Sequence, residues 1–372
     1  MRQQLLLLLP GEAQMEDHPQ PQTMWQKIST YRTMVYDAYI SKPTSHWILL
    51  LLSSASMLVA FPASSLFSRI YFANGGKSKW IMSWAAVAGW PIAALILVPM
   101  YLFLGIHPTP LDLRLAISYV VLGFLSAADN LMYAYAYAYL PASTAALVAS
   151  TSLVFSAFFG FVLVRNRINA SVVNSVVVIT AAMVIVALDS NSDRYRHVTN
   201  RQYAMGFLSD ILGSALHGLI FALSELVFLR LLGTRSFHVV LEQQVMVSLI
   251  GFAFTTVGTV VSGDFGRMKS EAAGFAGGEN WYYQVIVWAV LTFQIGILGS
   301  TAVVFLGSTV LAGVLNAIRV PITNIAAVVL LNDPMSGFKI ISLVITFWGF
   351  GSYIYGSYPM KGNNISPQQE TL

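Results

Sequence analysis

The chain has 372 residues, of which 56% are hydrophobic and only 10% charged, with a net charge of +4 and no cysteine. A soluble domain carries about 45–50% apolar and about 25% charged residues, so this composition excludes a soluble globular enzyme and a disordered chain. The basic residues stand singly or in pairs, which excludes a nucleic-acid interface, and without cysteine there are no disulfides, thiolate nucleophiles or Cys-ligated metals. An integral membrane protein remains.

Residues 1–45 form a polar tail whose Leu5–Leu9 run is too short for the apolar core of a signal peptide, about 7–15 residues. Ten apolar stretches follow, at 46–71, 80–104, 114–138, 141–164, 170–188, 203–231, 239–262, 281–304, 307–331 and 338–358. Each is near the roughly 20 residues that a helix needs to cross a bilayer. The runs are continuously apolar, whereas a barrel strand alternates. The expected fold is therefore an all-α polytopic membrane protein with ten transmembrane helices. The segments Asp189–Gln202 and Gly263–Asn280 read as its longest connections.

The 189–202 loop divides the spans into 46–188 and 203–358, five helices each, before a polar C-terminal tail at 359–372. Leu140-Pro141-Ala142-Ser143-Thr144 in the first group is similar to Leu306-Gly307-Ser308-Thr309 in the second. An odd number of spans per unit inverts the second unit, giving two inverted five-helix repeats as in secondary transporters, with a substrate site near the midplane. Chance similarity over four or five residues is the competing explanation. Lys and Arg are shared equally between the two sides, so charge does not set the orientation; ten spans place both termini on one side.

Charged side chains at the bilayer centre are costly and face a cavity or a partner. Four acidic residues lie within spans: Asp129, Asp210, Glu225 and Glu242; Arg319 is the one deep basic residue. Ser214, Gly218, Phe221 and Glu225 fall on one helix face, a stripe suited to a cavity wall. Glu225 then binds substrate or carries a coupling proton, or else reaches interfacial water. Glu242 is a second candidate for both roles, although a Glu near a helix start also answers to the helix dipole. Gln244, deeper in the same span, suits a hydrogen bond to a heterocycle. Asn130 shares a face with Tyr133 and Tyr137: a flat nitrogen heterocycle stacks on a ring while the amide pairs with its edge. Tyr137 and Tyr139, beside Pro141, read as an interfacial aromatic belt. Trp84 is a further stacking candidate, Gln294 a weaker polar one. Arg319 shares a stripe with Asn316 and Thr323 and either neutralises an acid or contacts substrate. Pro321 should disturb that helix. His217 reads as an interhelical histidine rather than a proton relay, and Asp210 is left without a role. There is no Walker A sequence, HExxH or metal-ligand cluster, so no catalytic residue, cofactor, metal or ATP hydrolysis is expected.

Several segments together resemble the plant purine permeases, within the drug/metabolite transporter superfamily. They are Ser68-Arg69-Ile70-Tyr71-Phe72, Gly75-Gly76-Lys77-Ser78-Lys79-Trp80, Ala128-Asp129-Asn130-Leu131-Met132-Tyr133, Tyr139-Leu140-Pro141-Ala142-Ser143-Thr144, Leu223-Ser224-Glu225-Leu226, Leu241-Glu242-Gln243-Gln244, Phe293-Gln294-Ile295-Gly296 and Phe347-Trp348-Gly349-Phe350. The chain looks most like the plasma-membrane, cytokinin-importing branch. The resemblance implies a ten-helix inverted-repeat fold with both termini cytosolic. It implies proton-driven uptake of adenine, related purines and cytokinins such as trans-zeatin and isopentenyladenine. Asn130, Glu225, Glu242, Gln244 and Gln294 occupy its motif positions; Arg319 departs from the small or apolar residues expected there. Transport of another heterocycle, an alkaloid or vitamin, at an internal membrane is the alternative, and a non-transporting receptor a third. The partners expected are a small-molecule substrate, protons and the bilayer.

Overall fold

A computed structural model describes residues 43–357 apart from 167, 190–194, 196, 197, 234, 235 and 308. The Leu5–Leu9 run and both polar tails, apart from the start of the first helix, lie outside these residues. The chain divides by internal contacts into Met1–Ile48 and Leu49–Leu372; the packing below concerns the second unit.

Every regular element among the described residues is helical. Ten helices are long and apolar enough to span a bilayer: α1 Thr44–Ala73, α2 Lys79–Phe103, α3 Leu113–Tyr139, α4 Ala142–Val164, α5 Ala170–Leu188, α6 Asn200–Leu232, α7 Phe237–Val261, α8 Glu279–Leu306, α9 Thr309–Leu331 and α10 Gly337–Ser357. Every end falls within three residues of the stretch read from the sequence. In hydrocarbon the backbone must satisfy itself, and a helix does so within one segment.

Local chemistry sets the helix starts. The side chains of Ser78, Asp112 and Asn169 accept from the N–H groups of Ile81, Leu115 and Val172, and Thr199 with Gln202 forms a reciprocal capping box at α6. Each cap satisfies an N–H that a helix start leaves open. α9 ends at Asn332 with φ 53°, a left-handed turn that short polar side chains tolerate.

The helices pack across the chain rather than along it. α3 lies against α6 and α7, α4 against α6 and α9, α2 against α7 and α8, and α5 against α10. Three glycines permit backbone-to-backbone approach. A β-carbon on Gly218 of α6 would sit 2.6 Å from the Ser156 nitrogen of α4, one on Gly299 of α8 would sit 2.8 Å from the Ser53 oxygen of α1, and Gly123 of α3 meets Gly251 of α7. Small residues are the usual contact surface where no hydrophobic drive separates helix from lipid.

One connection differs from expectation. Within Gly263–Asn280, a segment expected to be only a connection, Asp264–Ala273 forms a ten-residue helix. It is too polar and short to span, and it folds because its inner face joins the core: Ala272 and Met268 pack with Tyr71 and Tyr282. Glu271 accepts from the hydroxyls of Tyr71 (2.6 Å) and Tyr282 (2.9 Å) and from the Lys77 N–H (2.5 Å).

A second polar knot lies on the same membrane face. Asp333, just past α9, accepts from the Ser143 N–H (2.9 Å), the Ser143 hydroxyl (3.0 Å) and the Tyr195 hydroxyl. Lys339, 1% exposed, donates to the Ser143 hydroxyl (2.9 Å) and the Pro334 carbonyl (2.8 Å). The Arg69 guanidinium lies 4.3 Å from the Tyr195 ring centre and donates to the Tyr137 carbonyl (2.9 Å). Burial, foremost, raises the Tyr195 hydroxyl above its ordinary range, which keeps it a donor at neutral pH.

Candidate functional site

Depth along a helix follows from residue count, at about 1.5 Å per residue. α2 breaks at Gly89, ten residues after Lys79; Asp129 lies ten residues before the α3 end at Tyr139, and Asp210 ten after the α6 start at Asn200. Alternate spans run in opposite directions, so these ends share one face. All three positions lie about 15 Å deep, the middle of a core about 30 Å thick. Phe61 of α1 and Arg319 of α9 lie twelve residues from Ala73 and Leu331 on that face, at nearly the same level.

The α2 break comes from Gly89-Trp90-Pro91, since Pro91 has no N–H to give the helix. Gly89 also makes room for Gln294 of α8: a β-carbon there would lie 2.7 Å from the Gln294 Cβ. Gln294 is 1% exposed and its Nε2 has no hydrogen-bond partner. On α7, Gln244 accepts from the Thr301 hydroxyl at 3.3 Å, and its Nε2 is likewise buried without a partner. A buried donor left unpaired costs about 1–3 kcal/mol, which a ligand acceptor would recover. Trp84 donates from Nε1 to the Thr256 hydroxyl (3.1 Å), and its ring lies 5.5 Å from that of Phe252.

Between α3 and α6, Asp129 Oδ2 lies 3.1 Å from His217 Nδ1, while Asp129 Oδ1 has no partner. The His217 ring stands edge-on to Tyr133, with centres 6.2 Å apart. The Tyr133 hydroxyl lies 3.4 Å from that of Ser214, and Asn130 donates to the Ser126 carbonyl (2.8 Å). Asp210 is fully buried, and neither of its carboxyl oxygens has a hydrogen-bond partner. On α9 the Arg319 guanidinium lies 4.8 Å from the Phe61 ring centre, a cation–π contact. No carboxylate among the described residues forms an ion pair with it. Asn316 is half-buried one turn before it. Phe61 in turn lies 6.3 Å from Phe293, beside Gln294.

Several expectations change. The stripe Ser214, Gly218, Phe221 and Glu225 is not one cavity wall: Ser214 meets Tyr133 of α3, Gly218 meets the α4 backbone, and Phe221 is 56% exposed. α6 is held between α3 and α4, so its face is divided between them. Glu225 is half-buried, seven residues before the α6 end at Leu232, about four turns from Asp210 toward the opposite face. Glu242 accepts from both the N–H (3.0 Å) and hydroxyl (2.6 Å) of Thr109, tying α7 to the α2–α3 loop. Tyr137, expected in an interfacial belt, donates to the Ser65 hydroxyl of α1 (2.9 Å). Pro321 does not interrupt α9; the Thr323 hydroxyl and Asn324 Nδ2 donate to the carbonyls of Arg319 and Val320 beside it.

Sequence reasoning missed two features of this layer. One is the Gly89 break, signalled by a Gly and a Pro two residues apart inside an apolar run, the mark of a discontinuous membrane helix. The other is Asp210, an acid that nothing local could satisfy.

A family model described as purine nucleobase transmembrane transport matches residues 48–363. The chain is 69% identical over 341 residues to "Probable purine permease 5" of Arabidopsis thaliana, covering 92% of this chain and 94% of that one. It is 32% identical to "Purine permease 3" of the same plant, over 82% of this chain and 89% of that one. Its identity to "Purine permease 2" is 30%, over 87% and 95%.

Proposed function

This chain is a multi-pass membrane protein of the purine permease family, and from that premise we propose that it is a secondary transporter taking up purine nucleobases and cytokinins with protons. The observation that carries the reading is the mid-depth layer of unpaired polar groups and aromatic rings around the α2 break. The amides of Gln294 and Gln244 have free donors, matched to the ring nitrogens of an adenine-type base. Asn130 reads the other edge, and Trp84 or Tyr133 stacks on the base. The many apolar side chains of the spans suit an isoprenoid tail.

Alternating access needs two bundles that move against each other. The pairings of α2 with α7, α4 with α9 and α5 with α10 join helices five apart, as two inverted five-helix repeats at 46–188 and 203–358 would. In this reading both termini are cytosolic, the protein resides in the plasma membrane, and the face bearing the Asp333 and Glu271 knots is external. The chemistry is non-covalent, and the carboxyl groups inside the spans, Glu225 and Glu242 included, are the candidates for the coupling proton.

Arg319 favours a second reading of the cargo. A guanidinium without a counter-ion prefers a ligand with an anionic or strongly accepting group and disfavours a cationic alkaloid. That points to an acidic vitamin-like heterocycle. The test is uptake of labelled adenine and trans-zeatin into proteoliposomes, with and without an inward proton gradient, against a panel of competitors. Gradient-driven accumulation of zeatin competed by adenine is expected. Folded protein that takes up neither, but takes up an acidic heterocycle, would replace the first cargo by the second.

A further inference from the structure

We infer that the proton is carried by Asp210, working with the Asp129–His217 pair beside it, rather than by Glu225 or Glu242; the inference rests on the proton-coupled reading above. Asp210 is fully buried at mid-depth and neither of its carboxyl oxygens has a hydrogen-bond partner. An ionised carboxylate in that position costs several kcal/mol. In this conformation the group therefore holds its proton.

The groups around it explain why that proton can move. Gly206, Asp210, Gly213 and His217 share one face of α6; Gly206 meets Tyr139, Gly213 meets Tyr133 and His217 meets Asp129, so Asp210 faces α3 between these contacts. Arg319 of α9 lies at nearly the same depth, against the Phe61 ring. α4 and α5 have no titratable side chain within their spans. Lys339 of α10 is engaged at Ser143, and Arg69 of α1 at the Tyr137 carbonyl. With Asp210 protonated, Arg319 is a charge of that layer with no ion pair among the described residues. When the proton leaves, Asp210 carries a negative charge at nearly the depth of Arg319. A substrate acceptor engaging Arg319 adds negative charge to the same layer, so occupancy and proton binding favour each other.

Glu242 fits this role poorly because both its oxygens already accept from Thr109 near a membrane face. Glu225 lies nearer the opposite face, with no part in the Asp129–His217 contact.

The experiment compares wild type with Asp210→Asn, Glu225→Gln and Glu242→Gln in proteoliposomes given labelled adenine or trans-zeatin outside, with unlabelled substrate inside for the exchange arm. It measures accumulation under an inward proton gradient and exchange at symmetric pH. The expected result is that Asp210→Asn still exchanges substrate but equilibrates it, with no accumulation. Asp210→Asn that accumulates normally overturns the proposal. Accumulation abolished by Glu225→Gln or Glu242→Gln and kept by Asp210→Asn also overturns it. Wild type that transports without responding to the gradient removes the underlying coupling reading and the proposal with it. Should Asp210→Asn not fold, the wild type decides. A hydrophobic carbodiimide, which reacts with protonated carboxyl groups, should label Asp210 by peptide mass spectrometry, and substrate should alter that labelling. Labelling confined to Glu225 or Glu242 refutes the assignment.

Discussion

Removing Asp333 tests the knot that ties α4, α9, α10 and the α5–α6 loop together. Asp333→Ala deletes an acceptor for the Ser143 N–H, the Ser143 hydroxyl and the Tyr195 hydroxyl. Hydrogen bonds to a charged group contribute about 1.5–3 kcal/mol each. The gross loss is an upper bound, because donors freed near the membrane face meet water. Each buried donor left without its acceptor costs about 1–3 kcal/mol, so a net loss of about 3–5 kcal/mol is expected, with Lys339, which shares the Ser143 hydroxyl, left 1% exposed beside the gap. At about 1–1.5 °C per kcal/mol for a chain of 372 residues, the apparent Tm should fall by about 5 °C. Asp333→Asn keeps the shape but places NH2 among donors, and should lose about half as much. The assay is thermal unfolding of purified protein in detergent, followed by tryptophan fluorescence. A cycle with Ser143→Ala should show a coupling of about 1–3 kcal/mol. An Asp333→Ala protein melting within about 2 °C of wild type, or strict additivity with Ser143→Ala, would refute the account.

Three further outcomes follow from the packing. Gly218→Leu should lower the apparent Tm by the equivalent of about 1–3 kcal/mol or more, because its β-carbon would lie 2.6 Å from the Ser156 nitrogen; Gly218→Ala should cost less, and equal Tm values for both variants would contradict the backbone contact. Gln294→Leu should stabilise the empty protein by up to about 1–3 kcal/mol by removing an unpaired buried amide, while weakening adenine competition about tenfold or more, the loss of roughly 1.4 kcal/mol. A variant that loses stability and keeps affinity would show that the amide serves packing alone. Arg319→Leu should raise the competition constant of acidic or oxo heterocycles about tenfold and leave adenine nearly unchanged; equal shifts for all ligands would assign Arg319 to the scaffold.

The ten spans were legible because the bilayer imposes length and apolarity on each segment separately. The caps at Ser78, Asp112 and Thr199 belong to the same local grammar. What the sequence could not show was partnership. Asp129 meets His217 88 residues away, Glu242 meets Thr109 at 133, and Asp333 meets Ser143 at 190. Glu225 and Glu242 stood out as acids in apolar surroundings, yet one is divided from its stripe by α4 and the other is clasped by a loop. Asp210 carried no local sign of a role in the sequence; only burial against α3 reveals that it has no donor. The Asp264–Ala273 helix escaped for the opposite reason: its polar composition reads as a loop, and its core-facing side chains acquire meaning only once Tyr71 and Tyr282 are beside them.

The glycine contacts also bear on how the protein is made. Gly123 meets Gly251, Gly218 meets Ser156, and Gly299 meets Ser53, so each contact joins one helix from the first five to one from the last five. While the ribosome is still synthesising the later spans, α1, α3 and α4 sit in the membrane with narrow grooves that lipid chains fill only loosely. Those grooves close when α6, α7 and α8 arrive. A nascent chain stalled after α5 is therefore inserted but unassembled, the form that membrane quality-control proteases recognise. Supplying α6–α10 as a separate polypeptide should rescue it, because what joins the halves is helix surface rather than the loop between them.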